Sequence, residues 1–166
     1  MLAALAAIKD RGMQKIYIEA DDATGFEVPE NDWENFPWHE LSEEIEVIRI
    51  KIENDLGITL EKDGNVQDAS FIEELRILNQ SSYCSNGVIC ITPDIALRFS
   101  NYGKLFTLYS LTDSLEKYPV QEIKSIVSEK GWSFIDAKEL DRPYDGKNIE
   151  LQKAGITWWI RFFDYL

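Results

Sequence analysis

The sequence has 166 residues, of which 45% are hydrophobic and 12% aromatic, and its formal net charge is −13 at pH 7. That apolar content suffices for the core of one domain and excludes a largely disordered chain. The acidic charge excludes direct binding to nucleic-acid phosphates or anionic lipid headgroups, because like charges repel. We therefore expect a basic protein as the partner.

The acidic side chains are concentrated in the N-terminal half. Residues 1–83 carry 19 acidic and 7 basic side chains, whereas residues 84–166 carry 11 and 10. Residues 19–46 contain eleven carboxylates and no Lys or Arg. Carboxylates crowded in this way repel one another, and a cationic partner would relieve the repulsion. Residues 19–46 are thus where we expect a basic partner to bind.

The two cysteines, Cys84 and Cys90, are too few for a disulfide scaffold and indicate an intracellular, reduced protein. No run approaches the roughly 20 apolar residues of a membrane-spanning helix. We expect a cytoplasmic protein whose thiols are free and buried. Residues 1–12 open with an apolar stretch that has no basic leader, and we interpret them as a peripheral or non-native extension ahead of Met13.

The first predicted elements are a strand and a loop. Residues 14–20 (Gln-Lys-Ile-Tyr-Ile-Glu-Ala) are rich in β-branched and aromatic side chains, which favours a short strand. Residues 21–37 contain the breakers Gly25, Pro29 and Pro37, a pattern typical of a loop.

Residues 39–56 fit two patterns, and length separates them. Residues 48–52 alternate apolar and polar side chains as a strand does, but eighteen residues is ordinary for a helix and long for a strand. Apolar residues also recur at the spacing of one helical face: Leu41, Ile45, Ile48, Ile52 and Leu56. We predict a helix.

The middle of the chain predicts strands and hairpins. Residues 71–78 favour a strand over a helix, and the pair Asn86-Gly87 is a strong signal for a two-residue hairpin turn. In that register Cys84 faces Ile89 and Tyr83 faces Cys90, so the cysteines are diagonal neighbours. Residues 95–100 and 104–110 flank a second predicted turn.

The C-terminal part predicts one helix and two strands. Residues 119–130 suit a helix with Pro119 near its first turn and Gly131 after its end. Residues 132–137 read as a strand. Residues 156–166 place apolar side chains on both faces of a strand, which predicts a central, well-covered strand. The sum is a single α+β domain over residues 1–166, with a mainly antiparallel sheet of five or six strands and two main helices.

The chemistry-bearing residues support binding better than catalysis. His39 is the single histidine, so any triad must use it, and no glycine-rich phosphate loop or zinc-ligand spacing is present. We predict no catalytic residue, no metal and no cofactor. The alternative is a small metal-dependent hydrolase whose ligands would be Asp21, Asp22, His39 and Glu43.

The stretch that indicates a function most specifically is acidic, is interleaved with aromatic residues and precedes the predicted helix. Aromatic anchors within an anionic rim are typical of protein-binding sites, although the rings could equally pack the loop onto the core. The predicted partner-binding residues are Asp21, Asp22, Glu27, Glu30, Asp32, Trp33, Glu34 and Trp38.

Two segments resemble stretches of small bacterial immunity proteins that accompany polymorphic toxins, including those of contact-dependent growth inhibition systems. They are residues 96–107 (Ala-Leu-Arg-Phe-Ser-Asn-Tyr-Gly-Lys-Leu-Phe-Thr) and residues 158–166 (Trp-Trp-Ile-Arg-Phe-Phe-Asp-Tyr-Leu). The resemblance implies a cytoplasmic antidote that binds a toxin domain, often a basic nuclease, and blocks its active site.

Overall fold

The computed structural model describes residues 38–63, 73–78, 83–85, 88–90, 93–100, 104–110 and 115–163. The predicted strand at 14–20, the predicted loop at 21–37 and the extension at 1–12 lie outside these ranges.

Seven strands are present in the described residues: β1 (Glu61–Asp63), β2 (Glu73–Leu78), β3 (Tyr83–Ser85), β4 (Val88–Cys90), β5 (Pro93–Phe99), β6 (Leu105–Tyr109) and β7 (Ser133–Asp136). Five of them form one sheet in the order β1–β2–β5–β6–β7, and β3 and β4 form a separate hairpin. All neighbours pair antiparallel except β6 and β7, which run parallel.

The α-helices of the same ranges are α1 (Trp38–Leu56), α2 (Val120–Ser128), α3 (Ala137–Leu140), α4 (Ile149–Ala154) and α5 (Trp158–Phe163). The two long ones, α1 and α2, are the main helices that the sequence predicts. A 3₁₀ turn at Leu115–Lys117 precedes α2. The molecule therefore has the predicted α+β architecture, with a mainly antiparallel sheet.

One face of the sheet carries α1 and α2. The alternation of each strand sends Leu75, Leu97 and Phe106 to this face, where Ile48 of α1 and Ile123 of α2 cover them. All five side chains are buried. Burial of this apolar area, at about 25 cal/mol per Å², is the main force that holds the helices on the sheet.

The opposite face carries the C-terminal helices at the β6–β7 end. Leu105 and Ile135 point to this side and pack with Trp158 and Phe162. The Ser100 hydroxyl donates to the main-chain oxygen of Phe162 at 2.8 Å, which joins the end of β5 to α5. The sheet is thus covered on both faces at this end.

The prediction of a strand at 156–166 is wrong, because residues 158–163 form helix α5. Aromatic side chains at nearly every position satisfy the strand and helix periods alike, so periodicity does not separate the two. Thr157 is the signal that was missed. Its hydroxyl accepts the N–H of Ile160 at 3.3 Å, as an N-cap does, after the left-handed Gly155 (φ 68°) has ended α4.

The other predicted elements within the described ranges are confirmed. Residues 39–56 are helical, residues 73–78 form a strand, the strands of the two predicted hairpins pair antiparallel, and the strand at 133–136 is present. Cys84 faces Ile89, and Tyr83 faces Cys90, so the cysteines are diagonal neighbours in the register that the turn predicts. Helix α2 begins after Pro119, and Gly131 (φ 85°) follows its end.

Candidate functional site

Helix α1 has two faces of different character. Its inward face buries Ile45, Ile48 and Ile52 against the sheet. At 100° per residue, a second set of residues spaced 3, 4, 3 and 4 apart lies on the opposite side, within about 80° of the helix circumference. We call this set the outward stripe: Glu40, Glu43, Val47, Ile50 and Asn54.

The outward stripe combines exposed apolar and acidic side chains. Val47 is 50% exposed and Ile50 is 45% exposed, one turn apart. Glu40 and Glu43 continue the stripe toward the start of the helix, and both are exposed. The outward stripe therefore places two exposed apolar side chains next to exposed carboxylates.

The cations of α1 are engaged by its own carboxylates. Arg49 contacts Glu46 at 2.6 Å and Glu53 at 2.9 Å, and Lys51 contacts Asp55 at 2.7 Å. The hydrogen bond from Arg49 is the main reason why the pKa of Glu46 lies below its ordinary value. With six carboxylates and two basic side chains, the helix has a net charge of −4. Both basic side chains of α1 are therefore paired with carboxylates of the same helix, mostly in its C-terminal half.

The predicted partner-binding residues 21–34 lie outside the described residues. Trp38 is the first residue of α1, and its side chain also lies outside them. The acidic stretch predicted from the sequence therefore leads directly into the start of α1. Glu40 and Glu43 belong to the same run of carboxylates and are the exposed part of it that the structure describes.

Two members of the alternative hydrolase set are described. The imidazole Nε2 of His39 lies 3.3 Å from Glu43 Oε1, and both side chains are well exposed on the first turns of α1. Asp21 and Asp22 lie outside the described residues. Within the described ranges, no group of three or more His, Cys, Asp or Glu side chains is placed to hold a metal ion.

A buried charge network on the sheet was missed by the sequence analysis. Glu74 on β2 is only 2% exposed, and it faces Arg98 directly across the strand pair. Its Oε2 accepts from Arg76 Nε at 2.7 Å, and its Oε1 accepts from the Tyr109 hydroxyl at 2.6 Å and lies 3.3 Å from Arg98 Nε. Arg76 also pairs with Asp63 on β1. The signal was the alternation of charged and apolar residues along residues 74–77.

This network ties strands together and does not supply a reactive group. Burial, and then the hydrogen bond to Glu74, raise the pKa of the Tyr109 phenol well above its ordinary value. A phenol held protonated in this way cannot act as a base or nucleophile near neutral pH. Arg98 also stacks over the ring of Trp159 at 5.6 Å, which links the network to α5.

A cavity of about 520 Å³ lies beside this network, at the carboxyl ends of the parallel strands β6 and β7. Its size and position suit a small organic molecule. Lys138 and Asp141 in its lining are exposed, and the carboxylate of Asp136 accepts the N–H of Lys138 at the start of α3. The lining of the cavity therefore provides an apolar wall of defined shape rather than a reactive group. It is lined by Leu108, Tyr109, Ser110, Leu115, Asp136, Ala137, Lys138, Asp141 and Trp159.

Comparison with protein-family models, with curated proteins and with solved structures found no match. Among the described residues, no helix combines the length and apolar content that crossing a membrane requires.

Proposed function

We propose that this protein is a cytoplasmic, non-catalytic inhibitor of the immunity type, which binds a basic toxin domain and blocks its active site. The observation that carries the proposal is the acidic surface at the start of α1. There Glu40 and Glu43 are exposed and continue a stretch of sequence without any Lys or Arg. A surface of this kind is complementary to the cationic cleft of a nuclease.

Occlusion is the mechanism that fits this chemistry. Carboxylates of residues 21–46 would occupy the cleft positions that normally receive the phosphates of a nucleic-acid substrate, and Trp33 or Trp38 would anchor the contact. The acidic charge accelerates encounter with a basic protein, because opposite potentials steer diffusion. Neither step requires a catalytic group, a metal or a cofactor on this chain.

The resemblance of residues 96–107 and 158–166 to immunity proteins supports the same proposal. In the fold, Ser100 from the first segment contacts Phe162 from the second, and Arg98 stacks on Trp159. Leu97 and Phe106 of the first segment are buried beneath α1, and residues 158–163 of the second segment pack on the opposite face of the sheet. We therefore assign the resemblance to the scaffold, and the contact with the toxin to the acidic N-terminal half.

The proposal is tested with the reading frame next to the gene of this protein. We expect it to encode a larger protein whose C-terminal domain is basic and toxic when expressed alone. Co-expression of this chain should restore growth, and the purified pair should form a 1:1 complex that blocks the activity of the toxin domain. The matched control is the same toxin domain co-expressed with an immunity protein of unrelated sequence.

A neighbouring protein whose C-terminal domain neither binds this chain nor is inhibited by it would overturn the proposal. The hydrolase alternative is tested separately by elemental analysis and by melting with and without a chelator. A stoichiometric metal whose removal lowers the melting temperature would favour Asp21, Asp22, His39 and Glu43 as its ligands. We expect neither the metal nor the shift.

A further inference from the structure

We propose that the outward stripe of α1 is a docking surface for an amphipathic, positively charged helix of the partner protein. This inference rests on the proposed function and adds to it the contact surface and the kind of segment that binds there. The partner helix would cover Val47 and Ile50 with apolar side chains. It would direct Lys or Arg toward Glu40 and Glu43.

The apolar part of the argument concerns where exposed hydrophobic side chains occur. Within the described ranges, the large hydrophobic side chains that remain exposed are Val47, Ile50 and Ile149. Single exposed residues such as Ile149 are ordinary. Val47 and Ile50, however, lie one turn apart on one helix, opposite the buried face that already holds α1 on the sheet. The inward face already holds α1 on the sheet, so Val47 and Ile50 are not needed for the packing of this helix.

The spacing of the outward stripe favours a helix as the occupant. The apolar members of the stripe are Val47 and Ile50, and their spacing of three residues is that of adjacent a and d positions in a heptad repeat, the pattern by which two helices pack along each other. Residues spaced in this way present a narrow row of knobs that a second helix can receive between its own side chains.

The charge along α1 is uneven, and this predicts an orientation. Toward the C-terminal half, Arg49 and Lys51 are neutralised by Glu53 and Asp55. Toward the N-terminal half, Glu40 and Glu43 are exposed without a Lys or Arg of α1 within the same turn. We therefore expect the cations of the partner helix to lie over the first two turns of α1.

A second copy of this chain is disfavoured as the occupant. Two α1 helices packed through their stripes would bring two net charges of −4 together, and like charges at that distance repel. A basic helix meets the same apolar pair with attraction instead of repulsion. Charge complementarity thus selects the partner.

The test uses a fluorescent synthetic peptide of about three heptads, with Leu at the a and d positions and Lys beside them. Fluorescence anisotropy measures its Kd for wild-type protein, for the double variant Val47→Gln/Ile50→Gln, and for Ile149→Gln. Gln forms helices well and these positions are exposed, so circular dichroism should show all three proteins folded. The Ile149→Gln variant is the matched control, because it removes an exposed apolar side chain from α4.

We expect the double variant to bind the peptide about tenfold more weakly, and Ile149→Gln to bind within about twofold of wild type. Amide shifts caused by the peptide should cluster on residues 40–54 in NMR spectra. The inference is overturned if the peptide does not bind, if the double variant binds as wild type does, or if both variants lose affinity equally. A wild-type dimer that the double variant dissociates, measured by sedimentation, would name a second copy as the occupant and also overturn it.

Failure of this inference and failure of the proposed function have different outcomes. If the double variant still neutralises the toxin domain with unchanged affinity, the function stands and the stripe is not its contact surface. If the peptide binds the stripe as expected but no toxin domain is inhibited, the surface stands and the proposed function falls.

Discussion

Glu74 is a carboxylate that its strand places against other protein groups instead of in water. Specific contacts offset the cost of burying its charge. A buried charge is tolerated when it is paired and hydrogen-bonded. Arg76 on the same strand and Tyr109 on β6 donate hydrogen bonds to Glu74, and Arg98 on β5 forms an ion pair with it. The network therefore holds the register of β2, β5 and β6 on the face away from α1.

Replacing Glu74 with Gln should destabilise the fold by about 3 kcal/mol, because it leaves two partly buried guanidinium groups without their shared carboxylate. Chemical denaturation at neutral pH measures the change in the free energy of unfolding. Glu116→Gln, at an exposed acidic position before α2, is the control and should change stability by less than about 0.5 kcal/mol. Equal stability of the two variants would mean that the network contributes nothing net.

The raised pKa of Tyr109 predicts a loss of stability in alkali. Its ordinary value is 10.0, so above that pH the phenol ionises in the unfolded chain while it stays protonated in the fold. The unfolded state then binds fewer protons, and the free energy of unfolding falls as pH rises, by at most about 1.4 kcal/mol per pH unit. Below pH 10 the group has no such effect.

Tyr109→Phe should be less stable at neutral pH by about 1 kcal/mol, since Glu74 loses a donor, and should show a flatter decline between pH 10 and 11.5. Urea denaturation across that range measures both effects. Tyr118→Phe serves for comparison: the pKa of Tyr118 is also raised, by burial and by its hydrogen bond to Asp94, but less strongly. An unchanged slope in Tyr109→Phe would contradict the assignment.

At the scale of elements, α5 shows how a strongly apolar segment is positioned by its surroundings. Trp158 is fully buried, stacks on Phe162 with ring centroids 5.6 Å apart, and lies 4.6 Å from the ring of Tyr144. Its indole N–H donates to Asp145 at 3.0 Å. The loop after α3 and the helix α5 are therefore held together around one side chain.

Trp158→Ala should lower the free energy of unfolding by about 3–5 kcal/mol, because it removes a large aromatic side chain from a closed core and leaves Asp145 without its donor. Thermal and chemical denaturation measure the loss. Ile149→Ala, at an exposed position on the neighbouring helix α4, should stay close to wild type. A melting curve of Trp158→Ala that matches wild type would show α5 to be peripheral.

At the scale of the whole molecule, the two halves of the sequence differ in their net charge and in the parts of the core that they supply. The C-terminal half is almost neutral, and it supplies β6, β7, α2 and the C-terminal helices that pack on the face of the sheet away from α1. The N-terminal half carries nearly all the net charge and supplies α1, which packs on the opposite face of the sheet. Helix α1 alone has a net charge of −4, so we expect a basic protein to approach the molecule from the side of α1.

Replacing Glu30, Asp32 and Glu34 by their amides should slow association with the toxin domain while leaving the melting temperature unchanged, because long-range attraction between opposite charges steers encounter. Raising the salt concentration should slow wild-type association more steeply than that of the variant, since charges beyond about 8 Å are screened at physiological ionic strength. Stopped-flow mixing measures the rates. Trp33→Ala should instead speed dissociation, by about 2 kcal/mol or more if the ring is a buried anchor.

Three amide substitutions in the neutral half form the control: Glu116→Gln, Glu122→Gln and Glu139→Gln should leave the association rate nearly unchanged. The same rate and salt dependence in both triple variants would exclude residues 30–34 as the contact.

The sequence by itself determined the elements whose pattern is local. The apolar spacing of α1, the register of β3 with β4 and the Pro119 and Gly131 boundaries of α2 each follow from backbone geometry within a few residues, and each is present. The acidic half is likewise a property of composition. These features need no knowledge of what lies nearby in the fold.

Tertiary structure decided the rest, because it depends on partners distant in sequence. Residues 158–163 satisfy the strand and helix periods alike, so periodicity does not separate the two. In the fold they form a helix that packs against Leu105 and Ile135 on the face of the sheet away from α1. Glu74 is buried because residues 24 and 35 positions away, Arg98 and Tyr109, reach it. The exposure of Val47 and Ile50 could not be predicted from the sequence either, because an apolar residue on a helix is buried or exposed according to what packs over it.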